Sequence, residues 1–88
     1  MTKLEKKLIE LGYDLELIKF LVEEDYIKIY KKVFIYACIY IYVSPEKYSW
    51  EVKPTCEKII RQNQIDEIQH AFDVMQKDLE VLKEYENK

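Results

Sequence analysis

Five carboxylates in the last third of the sequence have the spacing of one helix edge. Asp66, Asp73 and Glu80 follow one another at intervals of seven residues, and Glu67 and Glu84 adjoin them. On a helix this interval places successive carboxylates about 10 Å apart in one row. Such a row can imitate the charge of a phosphate backbone and occupy a basic groove of a nucleic-acid enzyme. The alternative interpretation is a solvated helix face.

A second set of residues is aromatic and lies in the middle of the chain. Aromatic side chains on a sheet with lysines beside them can stack nucleic-acid bases. In the alternative interpretation the tyrosine rings fill a core or an interface while their hydroxyls reach water or a polar partner. The acidic overall charge and the single glycine favour this alternative. The candidate aromatic surface consists of Tyr26, Tyr30, Tyr36, Tyr40, Tyr42, Tyr48 and Trp50, with lysines among or beside them at Lys28, Lys31, Lys32, Lys47 and Lys53.

The remaining reactive side chains do not form a catalytic pattern. His70 falls on the outer side of the last helix and is expected at the surface. Cys38 and Cys56 are expected to be reduced and partly buried, and with His70 alone to add they make no four-ligand metal set. No serine or cysteine has a base at a recognisable spacing, and no glycine-rich loop could hold a phosphate. The sequence therefore predicts no enzyme activity, no metal and no cofactor.

Charge is distributed unevenly along the 88 residues. Residues 1–25 carry a net charge of −3, residues 26–61 carry +4, and residues 62–88 carry −4. The start of the chain mixes charged and apolar positions, unlike a signal peptide. The longest apolar run, residues 33–43, is too short for a helix that spans a bilayer, which needs about 20 residues. We therefore expect a single cytoplasmic domain with no membrane segment.

The spacing of apolar residues predicts most of the regular elements. Residues 3–11 have the apolar stripe of a short helix that ends at Gly12. Residues 14–24 fit neither period, so a helix or a strand is possible there, and a strand or an irregular lead-in is favoured. Alternation predicts strands over residues 26–32, 35–43 and 47–53, with the aliphatic side chains of 33–43 on one side and its aromatic side chains on the other. A stripe from Ile65 to Leu82 predicts a helix over residues 62–86.

Together these elements predict an α+β fold. We expect a short N-terminal helix, an antiparallel sheet of three or four strands, and a long C-terminal helix across the aliphatic side of the sheet. That helix would be about 36 Å long, against about 20 Å for the strands, so it must extend beyond the sheet. Its surplus apolar surface predicts self-association through residues 65–85.

Three segments resemble a group of short phage and prophage accessory proteins of Gram-positive bacteria. They are KLEKKLIELGY at residues 3–13, YIKIYKK at residues 26–32 and IDEIQHAFDVMQKDLEVLK at residues 65–83, about half of the chain. In size and layout the chain is also similar to some anti-CRISPR proteins. The resemblance implies a phage-borne protein, without catalysis, that binds and inhibits a host protein such as a CRISPR effector or another nuclease. The alternatives are a self-associating structural or regulatory module and single-stranded nucleic-acid binding on the tyrosine face.

Overall fold

The computed structural model describes residues 2–20, 26–45, 47–55 and 62–85. Within them the fold is α+β, as predicted: a short N-terminal helix, a four-stranded antiparallel sheet and a long C-terminal helix packed on one face of the sheet. In chain order the elements are α1 (Lys3–Glu10), β1 (Asp14–Phe20), β2 (Tyr26–Val33), β3 (Ala37–Val43), β4 (Tyr48–Pro54) and α2 (Gln62–Leu82), and a single 3-10 turn (Lys83–Tyr85) follows α2.

The strands lie side by side in their chain order, β1-β2-β3-β4, and each pairs antiparallel with its neighbours. Residues directly opposite one another in antiparallel strands project from the same face. Tyr30 lies opposite Ile41, and Ile41 lies opposite Trp50. These three therefore mark the face toward the helices, and their chain neighbours mark the open face.

The core lies between the helix-facing side of β3 and the inner side of α2. Ala37, Ile39 and Ile41 of β3 are fully buried and Val43 is nearly so. They cluster with four residues of α2, Ala71, Met75, Leu79 and Leu82. This confirms the predicted placement of the aliphatic side chains of β3 under the last helix. Burying one isoleucine or leucine in such a core stabilises the fold by about 1.5–3 kcal/mol.

The predicted aliphatic side of residues 33–43 is wrong at its beginning. Val33 is 62% exposed and Ile35 is 78% exposed. β2 ends at Val33 and β3 begins at Ala37, and the turn between them is closed by a hydrogen bond from the Phe34 amide to the Ala37 carbonyl at 2.7 Å. The chain reverses at this point, so Val33 and Ile35 do not continue the buried row of β3.

α1 is closed at both ends by local hydrogen bonds. At its start Thr2 Oγ1 accepts from the Glu5 amide, and Glu5 Oε2 accepts from the Thr2 amide, which is a capping box. At its end the amides of Gly12 and Tyr13 donate to the carbonyls of Ile9 and Leu8 in a Schellman motif. Gly12 has a φ of 99°, a conformation that side chains with a Cβ rarely adopt. The chain therefore turns sharply into β1, as the glycine predicted.

The apolar stripe of α2 is only partly covered. Met75, Leu79 and Leu82 are buried, whereas Ile65 and Phe72 are 47% and 40% exposed. A helix of this length is about 30 Å long and exceeds the strands on which it packs. The predicted helix over residues 62–86 is too long at its end, because α2 stops at Leu82 and Lys83–Tyr85 form a 3-10 turn; Glu86 lies outside the described residues.

β1 is an edge strand with a bulge. Leu15 pairs with Tyr30 and Leu17 pairs with Ile29, so the register shifts between these two leucines. Leu15 and Leu17 therefore project from opposite faces although they are two residues apart. All seven residues of β1 are exposed.

Candidate functional site

A buried polar cluster joins α2 to the opposite end of the chain. Asp78 is 7% exposed, and its Oδ2 accepts a hydrogen bond from the Tyr13 hydroxyl at 2.8 Å. The same oxygen accepts one from Lys32 Nζ at 2.9 Å, and that ammonium lies 4.5 Å from the centre of the Tyr13 ring. Burial raises the pKa of Tyr13, and the Asp78 carboxylate raises it further. The cluster is fully partnered, so its role is to fix α2 against β2 and the turn after α1.

A second buried ion pair fixes α1. Glu5 is nearly fully buried, and its carboxylate lies 2.9 Å from Lys28 Nζ on β2. Burial alone would raise the pKa of Glu5, but hydrogen bonds from Lys28 and from the Thr2 amide outweigh it and hold that pKa below its usual value. Glu5 of α1 thus neutralises Lys28, and Asp78 of α2 neutralises Lys32.

The candidate acidic edge is present on α2. Asp66, Asp73, Glu80 and Glu84 are exposed. Asp66 accepts a hydrogen bond from the Gln62 amide group at 3.0 Å, and Asp73 accepts one from the Gln69 amide group at 3.4 Å. Each bond joins side chains four residues apart on α2, and both carboxylates remain exposed.

Glu67 differs from the other four candidate acids. It is partly buried, and its Oε1 accepts a hydrogen bond of 2.7 Å from the Ile35 amide in the turn between β2 and β3. This bond makes Glu67 a structural contact between α2 and the sheet. The acidic edge that faces outward therefore consists of four residues, not five.

The candidate aromatic residues do not form one surface. Tyr40 and Tyr42 lie on the open face, whereas Tyr30 and Trp50 lie opposite Ile41 on the helix-facing side. Tyr30 is 1% exposed and belongs to the core. The alternation within each strand was correct, but the pairing of the strands places the aromatic rows of β2 and β4 opposite the aliphatic row of β3. The set divides into Tyr26, Tyr30, Tyr48 and Trp50 on the helix-facing side, Tyr40 and Tyr42 on the open face, and Tyr36 in a turn.

The open face carries a stacked pair of tyrosines with charges on both sides. The rings of Tyr40 and Tyr42 are 6.3 Å apart and nearly parallel, and the ammonium groups of Lys31 and Lys53 each lie 5.7 Å from the Tyr40 ring centre. Burial and a hydrogen bond to the Glu51 carboxylate raise the pKa of Tyr42 to about 12.

Both lysines beside the Tyr40 ring also have acidic partners. Lys31 pairs with Glu16 at 3.2 Å, and Lys53 pairs with Glu51 at 3.3 Å. These ion pairs neutralise the cations that would otherwise hold phosphates. The charges beside the tyrosine pair are therefore balanced, which does not favour phosphate binding at these two lysines.

Residues of the two candidate sets meet in a groove between β4 and α2. The groove has a volume of about 670 Å³. Of the candidate residues, it brings together Trp50 and Tyr48 from the aromatic set with Asp73 and Glu80 from the acidic edge, and the other candidates lie elsewhere. The Tyr48 and Trp50 ring centres are 6.1 Å apart, with the planes tilted by 43°. The lining of the groove consists of Tyr48, Trp50, Leu79, Asp73, Gln76, Lys77, Glu80 and Lys83.

The other reactive residues are placed away from this groove. His70 is exposed on α2 and contacts the Phe34 ring edge-on, with ring centres 5.9 Å apart. Cys38 has a free, buried thiol, and Cys56 lies outside the described residues. Among residues 2–20, 26–45, 47–55 and 62–85, no group of three or more potential metal ligands comes together. Neither helix in this part of the chain is long and apolar enough to cross a membrane.

Sequence reasoning missed Asp78 and Glu5, although the sequence carries a signal for each. Asp78 is seven residues from both Ala71 and Tyr85, which places a carboxylate on an apolar flank of α2. Glu5 follows Thr2 by three residues, the spacing of a capping box. Neither signal names the lysine partner on β2.

Comparison with known proteins adds no relative. No protein-family model, no curated protein and no solved structure matches the chain.

Proposed function

We propose that this chain is a phage-borne binding protein, without catalysis, that inhibits a host protein through the acidic edge of α2. The target class is a nucleic-acid-handling defence enzyme, such as a CRISPR effector or another nuclease, in the cytoplasm of the host cell. The observation that carries the proposal is the exposure of Asp66, Asp73, Glu80 and Glu84 along one helix. The resemblance of the chain to phage accessory proteins supports the proposal that it is phage-borne.

The physical basis is charge imitation on a rigid support. Seven helical residues rise about 10.5 Å, so Asp66, Asp73 and Glu80 present carboxylates at regular intervals. α2 is held against β2 by the buried Asp78 ion pair, so the row approaches a partner without reordering. A basic groove would attract such a row from a distance, and the attraction would weaken as salt rises.

The test neutralises the row and measures inhibition. In a bacterial host with an active nuclease defence, expression of the wild-type chain should restore phage plating. The triple variant Asp66→Asn, Asp73→Asn, Glu80→Gln should lose most of this effect. A control with the same change in charge, Glu10→Gln, Asp14→Asn, Glu16→Gln, alters exposed acids of α1 and β1 and should keep it. Full activity of the first triple variant would refute the acidic-edge mechanism.

A second candidate function is self-association through α2, and the partial exposure of Ile65 and Phe72 favours it. Both belong to the apolar stripe whose other half is buried, so a second copy could cover them. Sedimentation at micromolar concentration should then show a dimer that Phe72→Gln dissociates and that Ile9→Gln, an exposed position on α1, does not. A monomer at all concentrations would exclude this candidate.

A further inference from the structure

We propose that the outer edge of β4 pairs with β4 of a second copy of this chain, so that two four-stranded sheets join into one continuous sheet with both α2 helices on the same face. This inference rests on the second candidate function, self-association. It deepens that candidate by naming the surface, the alignment of the two strands and the charges that select it.

β4 is the edge strand that is better suited to pairing. It lies last in the order β1-β2-β3-β4, and within the part of the chain that the structure describes no strand pairs with its outer side. Its register with β3 is uninterrupted from Tyr48 to Pro54. β1, at the other edge, contains the bulge between Leu15 and Leu17, and a bulge hinders the addition of a strand.

Residues of β4 alternate between bonding to β3 and pointing out of the sheet. At one end the Lys47 carbonyl accepts from the Ser44 amide, just after β3, at 2.9 Å. At the other end the Thr55 amide donates into the turn before β3 at 3.0 Å. In an antiparallel pair both backbone groups of a residue point to the same side, and successive residues point to opposite sides. The odd-numbered residues therefore bond toward β3, and the N–H and C=O groups of Trp50 and Val52 point outward.

Charge selects one alignment of the two copies. A two-fold axis, the usual symmetry of a dimer, places one residue of β4 opposite itself when the axis is perpendicular to the sheet. With Val52 opposite itself, Glu51 of each copy lies opposite Lys53 of the other, so an opposite-charge pair forms on each side of the axis. Moving the axis by one residue brings Glu51 against Glu51 or Lys53 against Lys53. Moving it to Trp50 brings Lys53 against Lys47, and like charges directly opposite one another are destabilising.

The same alignment suits the backbone. Val52 exchanges both of its backbone hydrogen bonds with Val52 of the second copy, and the Trp50 amide of each copy donates to the Pro54 carbonyl of the other. Pro54 has no N–H, so it is compatible only with the outer side of an edge strand, and it limits the new ladder at that end.

The helices fit this arrangement as well. α2 packs against both β3 and β4, so its axis lies near the midline between these strands. With strands about 4.8 Å apart, that midline is about 5 Å from the two-fold axis. The two copies of α2 would run antiparallel with their axes about 10 Å apart, which is close to the spacing of packed helices.

Pairing at this edge would cover apolar side chains that one copy leaves nearly half exposed, those of Trp50, Ile65 and Phe72. Ile65 and Phe72 precede Leu79 by steps of seven, and residues seven apart differ by only about 20° around a helix. Leu79 lines the groove beside Trp50, so this row faces the β4 side of α2. Because the helices would run antiparallel, Ile65 and Phe72 of one copy would approach the groove of the other.

A charge exchange between the copies tests the alignment, with sedimentation of the full chain at micromolar concentrations measuring the dimer Kd. Lys53→Glu and Glu51→Lys each place like charges opposite one another, and each should raise this Kd at least about fivefold. An equimolar mixture of the two variants restores opposite charges between copies, although each copy still carries a like-charged pair of its own. The mixture should therefore form a heterodimer at least as tightly as the wild type dimerises.

A second ion pair on the open face provides the matched control. Lys31 and Glu16 lie 3.2 Å apart on β2 and β1, away from the β4 edge. Lys31→Glu, Glu16→Lys and their mixture should each change the dimer Kd by less than about twofold. An unchanged Kd in Lys53→Glu, or a mixture with Glu51→Lys that is no tighter than either variant alone, would overturn the β4 pairing.

The failure of this pairing and the failure of self-association give different results. If the wild-type chain forms a dimer that Phe72→Gln dissociates and Lys53→Glu does not, self-association through α2 stands and the β4 pairing is refuted. If the wild-type chain stays monomeric, self-association itself is refuted. Inhibition through the acidic edge is tested separately, because neither Glu51 nor Lys53 belongs to that edge.

Discussion

Removal of the Asp78 carboxylate should be among the most damaging single changes in this chain. In Asp78→Ala the Lys32 ammonium and the Tyr13 hydroxyl lose the oxygen that accepts both of their hydrogen bonds. Breaking a buried ion pair at one partner costs about 3–5 kcal/mol, because the other charge stays buried. Lys32 is 17% exposed at its side chain and can partly reach water, so we expect the lower half of this range.

That loss is large against the stability of a chain of this size. At about 0.05–0.15 kcal/mol per residue, the whole fold has a free energy of unfolding of about 4–13 kcal/mol. One kcal/mol lowers the Tm of such a domain by about 4–8 °C, so Asp78→Ala should lower it by at least about 12 °C. Asp78→Asn still accepts from Tyr13 and should lose about half as much.

Urea unfolding followed by Trp50 fluorescence measures these free energies. Asp73→Ala, an exposed acid on the same helix, is the matched control and should change stability by less than about 0.5 kcal/mol. In the double variant with Lys32→Met, the loss should be clearly smaller than the sum of the two single losses. A loss below about 1 kcal/mol for Asp78→Ala, or strict additivity in the double variant, would show that the pair does not hold α2 in place.

Three further predictions test other contacts. The pKa of Glu5 in the folded state lies below its ordinary value of 4.5. The stability that the Glu5 carboxylate adds is therefore present above pH 4.5 and is lost as the pH falls through the folded-state pKa. Glu5→Gln should flatten the acid limb of a plot of unfolding free energy against pH. Gly12→Ala should lower the free energy of unfolding by about 1–2 kcal/mol, measured in urea, because a side chain with a Cβ is strained at a φ of 99°. Ile41→Ala should cost about 2–5 kcal/mol at a fully buried site, whereas Ile35→Ala in the exposed turn should change the thermal midpoint very little.

The layout of the fold was predictable from the alternation of side chains. In β3 the alternating aliphatic residues Ile39 and Ile41 are buried under α2, as their spacing indicated. Gly12 marked the end of α1 for a reason intrinsic to glycine, its access to positive φ. These features depend on local sequence, and local sequence was sufficient.

β1 escaped a firm prediction because its period is broken. The bulge between Leu15 and Leu17 turns two leucines of equal parity to opposite faces. Its apolar residues therefore match neither the period of a strand nor that of a helix. An extra residue in one strand is defined only by the partner strand, and no pattern within β1 could reveal it.

The candidate site was predictable in its parts and not in its arrangement. Asp73 and Glu80 were found from their spacing on one helix, and Trp50 was found from its alternation in β4. Their meeting in one groove depends on how β4 aligns with β3 and where α2 crosses the sheet, which are contacts between distant segments. The same dependence explains why the tyrosines of β2 and β3 were assigned to one surface although the sheet separates them.

The two lysines on the helix-facing side of β2 also guard against misaligned hairpins. β2 carries Ile27 and Ile29 on its other side, so a slip of one position would bring aliphatic side chains toward the helices and satisfy the hydrophobic pattern. The same slip would turn Lys28 and Lys32 outward and leave two carboxylates buried without a cation. The two buried ion pairs therefore disfavour a misaligned hairpin that the apolar side chains alone would tolerate.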